Sequence, residues 1–362
     1  MNNKAGIVTI IDNNNYGNRL QNYAVQSILN QFEIVNDTMN NSIIFNNKNK
    51  YFLRKIKYMK NDNFNSFDEN KNRSNSFMYF KSFINTSSEK YTVYSKYDYD
   101  FLLVGSDQVW NPNFGRLSDL DLLNVKCKKN TKKIAFSASF GINELPYNVN
   151  KKKLLKCFND FDAISVREDA GKKILEDLGY QGEVSVLVDP TMLLTADEWD
   201  KVSRKPKMLK IDKFILNYFL GELSEKRKEE IQRIADENDC EVINILDKNS
   251  PFYECGPSEF LYLEKHAFLI CTDSFHSSVF AVLYNRPFIV FDREQENVVN
   301  MNSRLDTLIS KLKLENRKYN GESITYENIH HDYTEAYKQL EIERNRSKVF
   351  LKNVLKESTN EN

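Results

Sequence analysis

A repeated alternation of short apolar runs with helical patterns constrains the fold of this chain more than any other feature. Runs such as residues 6–11 and 163–166 are rich in β-branched side chains, as is typical of parallel strands that helices cover on both faces. Each run leads into a polar turn and then into apolar residues spaced three or four apart, as on one face of a helix. We therefore predict an α/β fold built from parallel sheets.

The alternation occurs in two blocks, which predicts two Rossmann-like domains. The first covers residues 1–190, with an excursion of helix and loop near residues 40–95 that lacks Gly, Pro and a strand pattern. Residues 191–210 are the predicted linker, residues 211–325 form the second domain, and residues 326–362 form a C-terminal helix and tail. We expect that helix to pack back on the first domain. Two such domains facing a cleft resemble the GT-B glycosyltransferase architecture.

Composition excludes several classes of protein. Lys+Arg and Asp+Glu are balanced at 51 each, so no net field favours a nucleic-acid partner. The five cysteines form no CxxC pair, which predicts reduced thiols, no metal site and a cytoplasmic location. No run reaches the roughly 20 apolar residues that a membrane span needs. The apolar run near the start is too short for a signal peptide.

The first half of the excursion combines basic and aromatic residues. Its basic side chains are Lys48, Lys50, Arg54, Lys55, Lys57 and Lys60. We interpret this segment as a solvated helix face. The alternative is a peripheral contact with an anionic membrane surface or a lipid-linked diphosphate, which would place the protein at the inner face of the membrane.

Polar side chains follow the predicted strands in both halves of the chain. In open α/β sheets such positions line the binding site. In the first half they are Asn15, Tyr16, Gly17, Asn18, Ser106, Asp107, Gln108, Trp110 and Arg167. In the second half they are His276 and Ser277, between an apolar run and a helical pattern. The alternative for each is a structural role, as a helix cap, turn residue, ion-pair partner or core residue.

The residue types favour particular chemistry. Free amides at a helix N-terminus, together with the guanidinium of Arg167, favour an anion with carboxylate or phosphate groups. His276 is a candidate general acid, because its ordinary pKa lies near neutral pH. Asp107 could bind sugar hydroxyls, and Trp110 could stack on a sugar ring.

Five sequence blocks resemble the polysaccharide pyruvyl transferases. In chain order they are NYGNRLQNYA at 15–24, VGSDQVWNP at 104–112, ISVRE at 164–168, VDPT at 188–191 and TDSFHS at 272–277. The second and the last are the more specific. Ser277 stands where many members have Gly, and the excursion after Asn41 is a feature of this chain.

This resemblance implies a transferase that moves a pyruvyl group from phosphoenolpyruvate to a sugar of a cell-surface polysaccharide (an exopolysaccharide) or of its lipid-linked precursor. A ketal forms, phosphate is released, and no cofactor is needed. The catalytic residues would be His276 as acid, Arg167 as donor anchor and Asp107 at the acceptor hydroxyls. The donor-binding residues would be Asn15, Tyr16, Gly17, Asn18, Arg167 and Ser277. The acceptor-binding residues would be Ser106, Gln108 and Trp110.

Two other classes of function stay open at this level. A GT-B-type nucleotide-sugar glycosyltransferase would use the same cleft and would bind a uridine or guanosine diphosphate sugar. A noncatalytic glycan-binding protein would bind saccharide without releasing phosphate. Fold alone does not separate these classes.

Overall fold

The computed structural model describes residues 3–12, 14–40, 64–293 and 303–356. The six basic residues of the excursion lie outside these ranges. Within them the strands form two sheets, of seven and four strands, and every neighbouring pair is parallel. The strand orders are β3-β2-β1-β4-β5-β6-β7 and β11-β10-β8-β9.

The first sheet contains β1 (Lys4–Val8), β2 (Val35–Asn40), β3 (Thr86–Lys90), β4 (Phe101–Val104), β5 (Lys132–Ala138), β6 (Ala163–Val166) and β7 (Val184–Val186). The second contains β8 (Phe214–Tyr218), β9 (Glu241–Asn244), β10 (Leu269–Thr272) and β11 (Phe288–Val290). Inner strands such as β4 and β10 are buried at every residue. Their continuous apolar sequences, FLLV and LICT, are explained by helices covering both faces of each sheet.

The helices are α1 (Tyr16–Gln31), α2 (Phe64–Lys81), α3 (Lys151–Phe158), α4 (Asp169–Asp177), α5 (Ala196–Asp200), α6 (Glu225–Glu237), α7 (Pro257–His266), α8 (Phe275–Leu283), α9 (Ser303–Leu312), α10 (Tyr326–Ile329) and α11 (Thr334–Lys356). No helix in the described residues is both long enough and apolar enough to span a bilayer. The strand–helix alternation confirms the predicted α/β class, with Rossmann-like units that face a cleft in a GT-B-like arrangement.

The expectation that the excursion contributes no strand was wrong. Strand β3 lies inside it and pairs with β2 at the sheet edge. Its sequence, TSSEK, is mostly exposed and has no apolar residue, so the apolar-run criterion misses it. Edge strands often carry such polar sequences because one side faces water.

Helix α2, in the later part of the excursion, joins the two halves of the chain. The buried Arg73 guanidinium donates hydrogen bonds to the Tyr16 hydroxyl at 2.7 Å and to the Tyr253 carbonyl at 2.8 Å. It also donates to the Asn14 carbonyl at 3.2 Å. Because Asn14 precedes α1 and Tyr253 follows β9, this one side chain fixes the first βα turn against the second half.

The predicted linker is part of the core rather than an exposed connection. It contains α5, and Trp199 on that helix is fully buried. The Trp199 indole donates to the Thr191 carbonyl at 3.1 Å and packs against Tyr23 and Phe280. This stretch therefore holds the two halves together through apolar contacts.

The C-terminal helix packs back on the first sheet, as predicted. The Phe350 ring of α11 stacks on Phe136 of β5, with a centroid distance of 6.4 Å. Arg344 donates to the Met192 carbonyl at 2.7 Å and to the Leu194 carbonyl at 3.0 Å. The long helix begins later than the helical pattern suggested, because the short helix α10 precedes it.

Candidate active site

A cavity of about 450 Å³ lies where the carboxyl ends of strands from both sheets meet. This volume is in the usual range for small-molecule sites. The first half contributes Asn15, Asn18, Asp107 and Gln108 to its lining, and the second half contributes Asp273, His276, Arg293 and Arg304. In parallel sheets the binding site lies at the carboxyl ends of the strands, which is why a site was predicted between the two sheets.

His276 lies in the first turn of α8 and lines this cavity. Its ring packs against α1 at Gly17, where a Cβ atom would lie 2.1 Å from the His276 Nδ1 atom. Any larger residue would displace the imidazole, so glycine is required for this contact. The Nε2 atom is buried without a hydrogen-bond partner among the described residues, and it lies 3.9 Å from Asp189 Oδ1.

The protonation of His276 is set mainly by burial. Desolvation lowers the pKa of His276, and the negative charges of Asp189 and Asp107 offset this only in part. The imidazole is therefore neutral at neutral pH. An anion bound beside it would favour the imidazolium form and raise this pKa.

The N-terminus of α8 is also suited to an anion, because it lacks a side-chain cap within the described residues. Among the described residues, its N-cap Ser274 makes no side-chain capping bond. The N-terminus of α1 differs, because the Asn15 side chain accepts a hydrogen bond from the Asn18 amide at 3.1 Å. Unsatisfied first-turn amides and the helix dipole together favour negative charge. The missing cap makes the N-terminus of α8, more than the N-terminus of α1, suited to a phosphate or carboxylate.

Arg167 does not line the cavity, which corrects its expected role as donor anchor. Its side chain is only 1% exposed and bonds to two carboxylates, Asp189 Oδ2 at 2.5 Å and Asp107 Oδ1 at 3.0 Å. Burial alone would raise the pKa of Asp189, but the Arg167 charge and hydrogen bonds from Thr191 lower it to about 2. Arg167 is thus a positioning residue beneath the cavity floor.

Arg304, at the start of α9, is a cavity residue that the sequence patterns missed. Its side chain is 11% exposed, and its shortest ion pair among the described residues is a 3.7 Å contact to Asp107, which Arg167 approaches more closely, at 3.0 Å. Its Nε atom has no hydrogen-bond partner in the described part of the chain. Burial, and then repulsion by Arg167, lower the pKa of Arg304 to about 10. Within the described ranges, this guanidinium therefore has a longer ion pair than Arg167 has.

Two further residues around Arg304 complete the charged wall. The Gln108 amide, with its oxygen turned to Arg304, accepts from Nη1 at 2.8 Å and Nη2 at 2.5 Å. Arg293 pairs with Asp273 at 2.9 Å. Asp273 in turn accepts from the Leu220 and Gly221 amides, which fixes the loop after β8. Arg293 follows the apolar run of β11, so the strand-end rule could have identified it, whereas Arg304, in the first turn of α9, does not directly follow any strand of the described residues.

Asp107 lies where the strand-end rule predicts. It has a left-handed backbone, with φ of 70°, and accepts a hydrogen bond from the Asn18 side chain. Burial would raise the pKa of Asp107, but Arg167 and then His276 and Arg304 hold it below its usual range. Asp107 is therefore an ionised carboxylate at the cavity surface.

The predicted donor role of Tyr16 and Ser277 is corrected by their burial. The Tyr16 ring is stacked between Phe77 and Phe260. The Ser277 hydroxyl is fully buried and donates to Glu264 Oε1 at 2.5 Å. Both side chains support the cavity from behind. Gly17 likewise contributes the packing space for His276 rather than a ligand contact.

Two predicted acceptor residues also face the interior. Trp110 is fully buried, packs on Phe140 and Phe158, and donates from Nε1 to the Asp121 carbonyl at 3.0 Å. A sugar cannot stack on it there. Ser106 is fully buried too, and its hydroxyl donates to Asp189 Oδ2 at 2.8 Å. Of the three predicted acceptor residues, Gln108 alone lines the cavity.

Within the described part of the chain, the cavity thus combines a helix start without a side-chain cap, a guanidinium with a long ion pair, a neutral histidine and an ionised carboxylate. Such a set can bind an anion and move a proton to or from it. Among the described residues, no cluster of three His, Cys, Asp or Glu side chains could hold a metal ion.

Solved structures with similarity to the chain come from several sources. UDP-GlcNAc 2-epimerase from Methanocaldococcus jannaschii, in complex with UDP-GlcNAc and UDP, is 14% identical with a TM-score of 0.44, over 94% of this chain and 99% of that one. UGT73P12 from Glycyrrhiza uralensis is 9% identical with a TM-score of 0.43, over 99% and 96% of the two chains. An uncharacterized protein from Klebsiella pneumoniae is 12% identical with a TM-score of 0.38, over 65% and 80%.

No curated protein matches the chain. The family model described as polysaccharide pyruvyl transferase, however, matches residues 15–295. This match covers more than half of the chain and includes both sides of the cavity. The chain therefore belongs to the polysaccharide pyruvyl transferase family and is a transferase.

Proposed function

We propose that this chain transfers the pyruvyl group of phosphoenolpyruvate to two hydroxyls of a saccharide, forming a ketal and releasing phosphate. The observation that carries the proposal is the presence, in one cavity, of His276 and of Arg304, whose shortest ion pair in the described ranges is 3.7 Å long and whose Nε atom has no partner there. The donor is an anion that must be protonated on carbon. Arg304 can bind the anion, and His276 can donate the proton.

The donor would be held from the second half of the chain. Its phosphate and carboxylate need several positive donors, and Arg304 together with the uncapped amides of α8 provides them. Among the described residues, the only ion pair that Arg304 would give up on binding the donor is the 3.7 Å contact to Asp107. Arg167, by contrast, would have to release Asp107 or Asp189 before it could contact the donor.

His276 would be the acid. It donates a proton to the methylene carbon of phosphoenolpyruvate, which makes the neighbouring carbon electrophilic. One acceptor hydroxyl adds to that carbon, phosphate leaves, and the second hydroxyl adds to close the ketal. Of the two hydroxyl protons, one returns to His276 and the other leaves with phosphate. The donor's negative charge offsets the burial that lowers the pKa of His276, so protonation and donor binding are coupled.

Asp107 would orient the acceptor hydroxyls. Because its pKa is held below the usual range, it is a weak base and a good hydrogen-bond acceptor. A carboxylate has about four lone-pair sites, and Arg167 and Asn18 occupy only part of them. Gln108 lies beside it on the cavity wall.

We further propose a cytoplasmic reaction on a sugar of a cell-surface polysaccharide or its lipid-linked precursor. The five free cysteines support a cytoplasmic location. A peripheral contact at the inner membrane face would follow from a lipid-linked acceptor.

The test is phosphate release from phosphoenolpyruvate in the presence of soluble and lipid-linked saccharides, run beside binding of UDP-sugars and GDP-sugars. We expect release that depends on both phosphoenolpyruvate and one saccharide, with a product heavier than the acceptor by one ketal-linked pyruvyl group. Binding and turnover of a nucleotide sugar would contradict the proposal. Saccharide binding without phosphate release would instead favour a noncatalytic glycan-binding protein.

A further inference from the structure

We propose that Phe114 is the platform on which a pyranose ring of the acceptor stacks at the mouth of the cavity. This inference rests on the proposed function, because it takes the acceptor to be a saccharide. It assigns to Phe114 the aromatic contact that was expected of Trp110.

The first observation is the exposure of Phe114. Three aromatic side chains line the cavity within the described residues, and they are Phe114, Tyr218 and Phe275. Tyr218 and Phe275 are buried, whereas Phe114 is 59% exposed. A ring left in water at the edge of a binding cavity gains favourable contact when a ligand covers it.

The second observation is that the turn carrying Phe114 is held in place by hydrogen bonds. Residues Pro112–Phe114 form a single 3₁₀ turn, and the Asn111 side chain accepts from the Asn113 amide at 2.9 Å. The Phe114 and Arg116 amides both donate to the Asn111 carbonyl at 3.2 Å. Gly115 closes the turn with a left-handed backbone, φ 67°. An exposed ring on such a turn is pre-organised for contact, so little conformational entropy is lost on binding.

The third observation links the turn to buried Trp110. Asp121 accepts from the Trp110 indole through its carbonyl at 3.0 Å, and its carboxylate pairs with Arg116 at 2.9 Å. Arg116 also lines the cavity. Trp110 therefore supports, through Asp121, the segment that presents Phe114. This explains how a tryptophan can belong to the acceptor side without touching the acceptor.

The groups around Phe114 favour a sugar over a purely apolar ligand. Asp12, Gln108 and Arg116 share the cavity lining with it and offer both acceptors and donors to hydroxyls. The apolar C–H face of a pyranose suits the negative face of an aromatic ring. Leu220, 48% exposed on the opposite half of the chain, lines the same cavity and can cover the far side of the sugar.

The kinetic experiment compares Phe114→Ala with Phe114→Tyr in the full chain. We expect Phe114→Ala to raise the KM for the saccharide about tenfold or more, with the KM for phosphoenolpyruvate within about twofold of wild type. Phe114→Tyr restores the ring and should restore the acceptor KM. Tyr147→Ala is the matched control, because that ring is 99% exposed and lies outside the cavity lining. An unchanged acceptor KM in Phe114→Ala would overturn the proposal.

A binding experiment does not depend on turnover. Both native tryptophans, Trp110 and Trp199, are fully buried, so Phe114→Trp places a solvent-exposed fluorophore at the cavity mouth. Its emission is followed during titration with the methyl glycosides of glucose, galactose, mannose and their N-acetylamino derivatives, and with UDP. A saturable blue shift with a glycoside supports the platform. If wild type releases no phosphate but this shift occurs, the proposed function fails and the sugar platform stands. No shift with any glycoside, or a shift with UDP alone, overturns it.

Discussion

The two sheets bring different kinds of groups to the same cavity. On the side of the first sheet, the charged and capping groups are paired: Arg167 bonds to Asp107 and Asp189, and Asn15 caps α1, although Arg167 Nε has no hydrogen-bond partner among the described residues. On the side of the second sheet, α8 has no side-chain cap within the described residues, and neither His276 Nε2 nor Arg304 Nε has a partner there. The contrast is one of charge pairing and helix capping: the first side, which we call closed, has short ion pairs and a capped helix, and the second, which we call open, has a 3.7 Å ion pair at Arg304 and an uncapped helix start.

This difference separates scaffold from reacting groups. A buried polar atom without a partner costs free energy, so proteins keep few of them. The atoms of His276 and Arg304 that lack a partner in the described ranges are buried, and both residues line the cavity, so a ligand bound beside them can supply hydrogen bonds. The motif residues of the first sheet therefore fix the cavity floor, and the residues of the second sheet are the ones free to act on the donor.

The substitution His276→Gln tests this division most strongly. If His276 is the acid, we expect turnover with phosphoenolpyruvate and saccharide to fall by about 10²–10⁴-fold. Glutamine keeps a polar side chain but cannot donate a proton to carbon. Phosphate release under saturating substrates measures the effect.

The matched control for this variant is His266→Gln. His266 is an exposed histidine at the end of α7, bonded only to the Tyr262 carbonyl among the contacts described. We expect it to keep wild-type turnover. If His276→Gln kept wild-type turnover as well, the open side of the cavity would not contain the acid.

Much of the fold follows from sequence because local and tertiary preferences agree. The apolar runs that became β4, β6 and β10 could be recognised since each is covered on both faces. Strand β2 could not, because its sequence VNDTMN is polar. Its Thr38 is buried, and it hydrogen-bonds with Gln26 and Asn22 of α1, so the partners that permit its burial are distant in sequence.

The site was predictable to a more limited degree. The strand-end rule placed His276, Asp107 and Gln108 at the cavity, since the direction of a parallel strand determines where it ends. The rule does not say which way a side chain points within the turn, and Trp110 and Ser277 turned inward. Arg304 comes from the start of a later helix, so only the tertiary structure brings it to the cavity.

Replacing each arginine in turn by methionine should separate scaffold from ligand contact. Arg167→Met leaves two buried carboxylates without their partner, and we expect it to reduce the free energy of unfolding by about 3–5 kcal/mol. Arg304→Met removes the 3.7 Å contact to Asp107 and the two hydrogen bonds to Gln108, and should cost less, about 1–2 kcal/mol, because Gln108 lines the cavity and can bond to water instead. Because Arg304 would contact the donor, we expect its loss to raise the KM for phosphoenolpyruvate about 10–100-fold.

Urea unfolding and initial-rate kinetics on the same preparations measure both quantities. We expect Arg167→Met to have the larger effect on the free energy of unfolding, and Arg304→Met to have the larger effect on the KM for phosphoenolpyruvate. Arg204→Met is a suitable control, since Arg204 pairs with Glu259 away from the cavity. Equal stability losses in the two test variants, with an unchanged donor KM in Arg304→Met, would remove the distinction between the closed and open sides.

The smallest expected effect concerns pH. Burial lowers the pKa of His276 in the folded chain, so the unfolded state binds its proton more readily. Folding stability from this residue is therefore lost as pH falls below the ordinary histidine pKa of about 6.5. An anion in the cavity raises the folded pKa and opposes that loss.

Sulfate is a useful probe because it stays a dianion throughout this pH range. We expect sulfate to raise the melting temperature of the wild type more at acidic than at alkaline pH, and to act equally at both in His276→Gln, where Arg304 and the α8 amides still bind the anion but the titrating histidine is gone. The same pH dependence in both proteins would mean that the unpartnered histidine does not sense an anion.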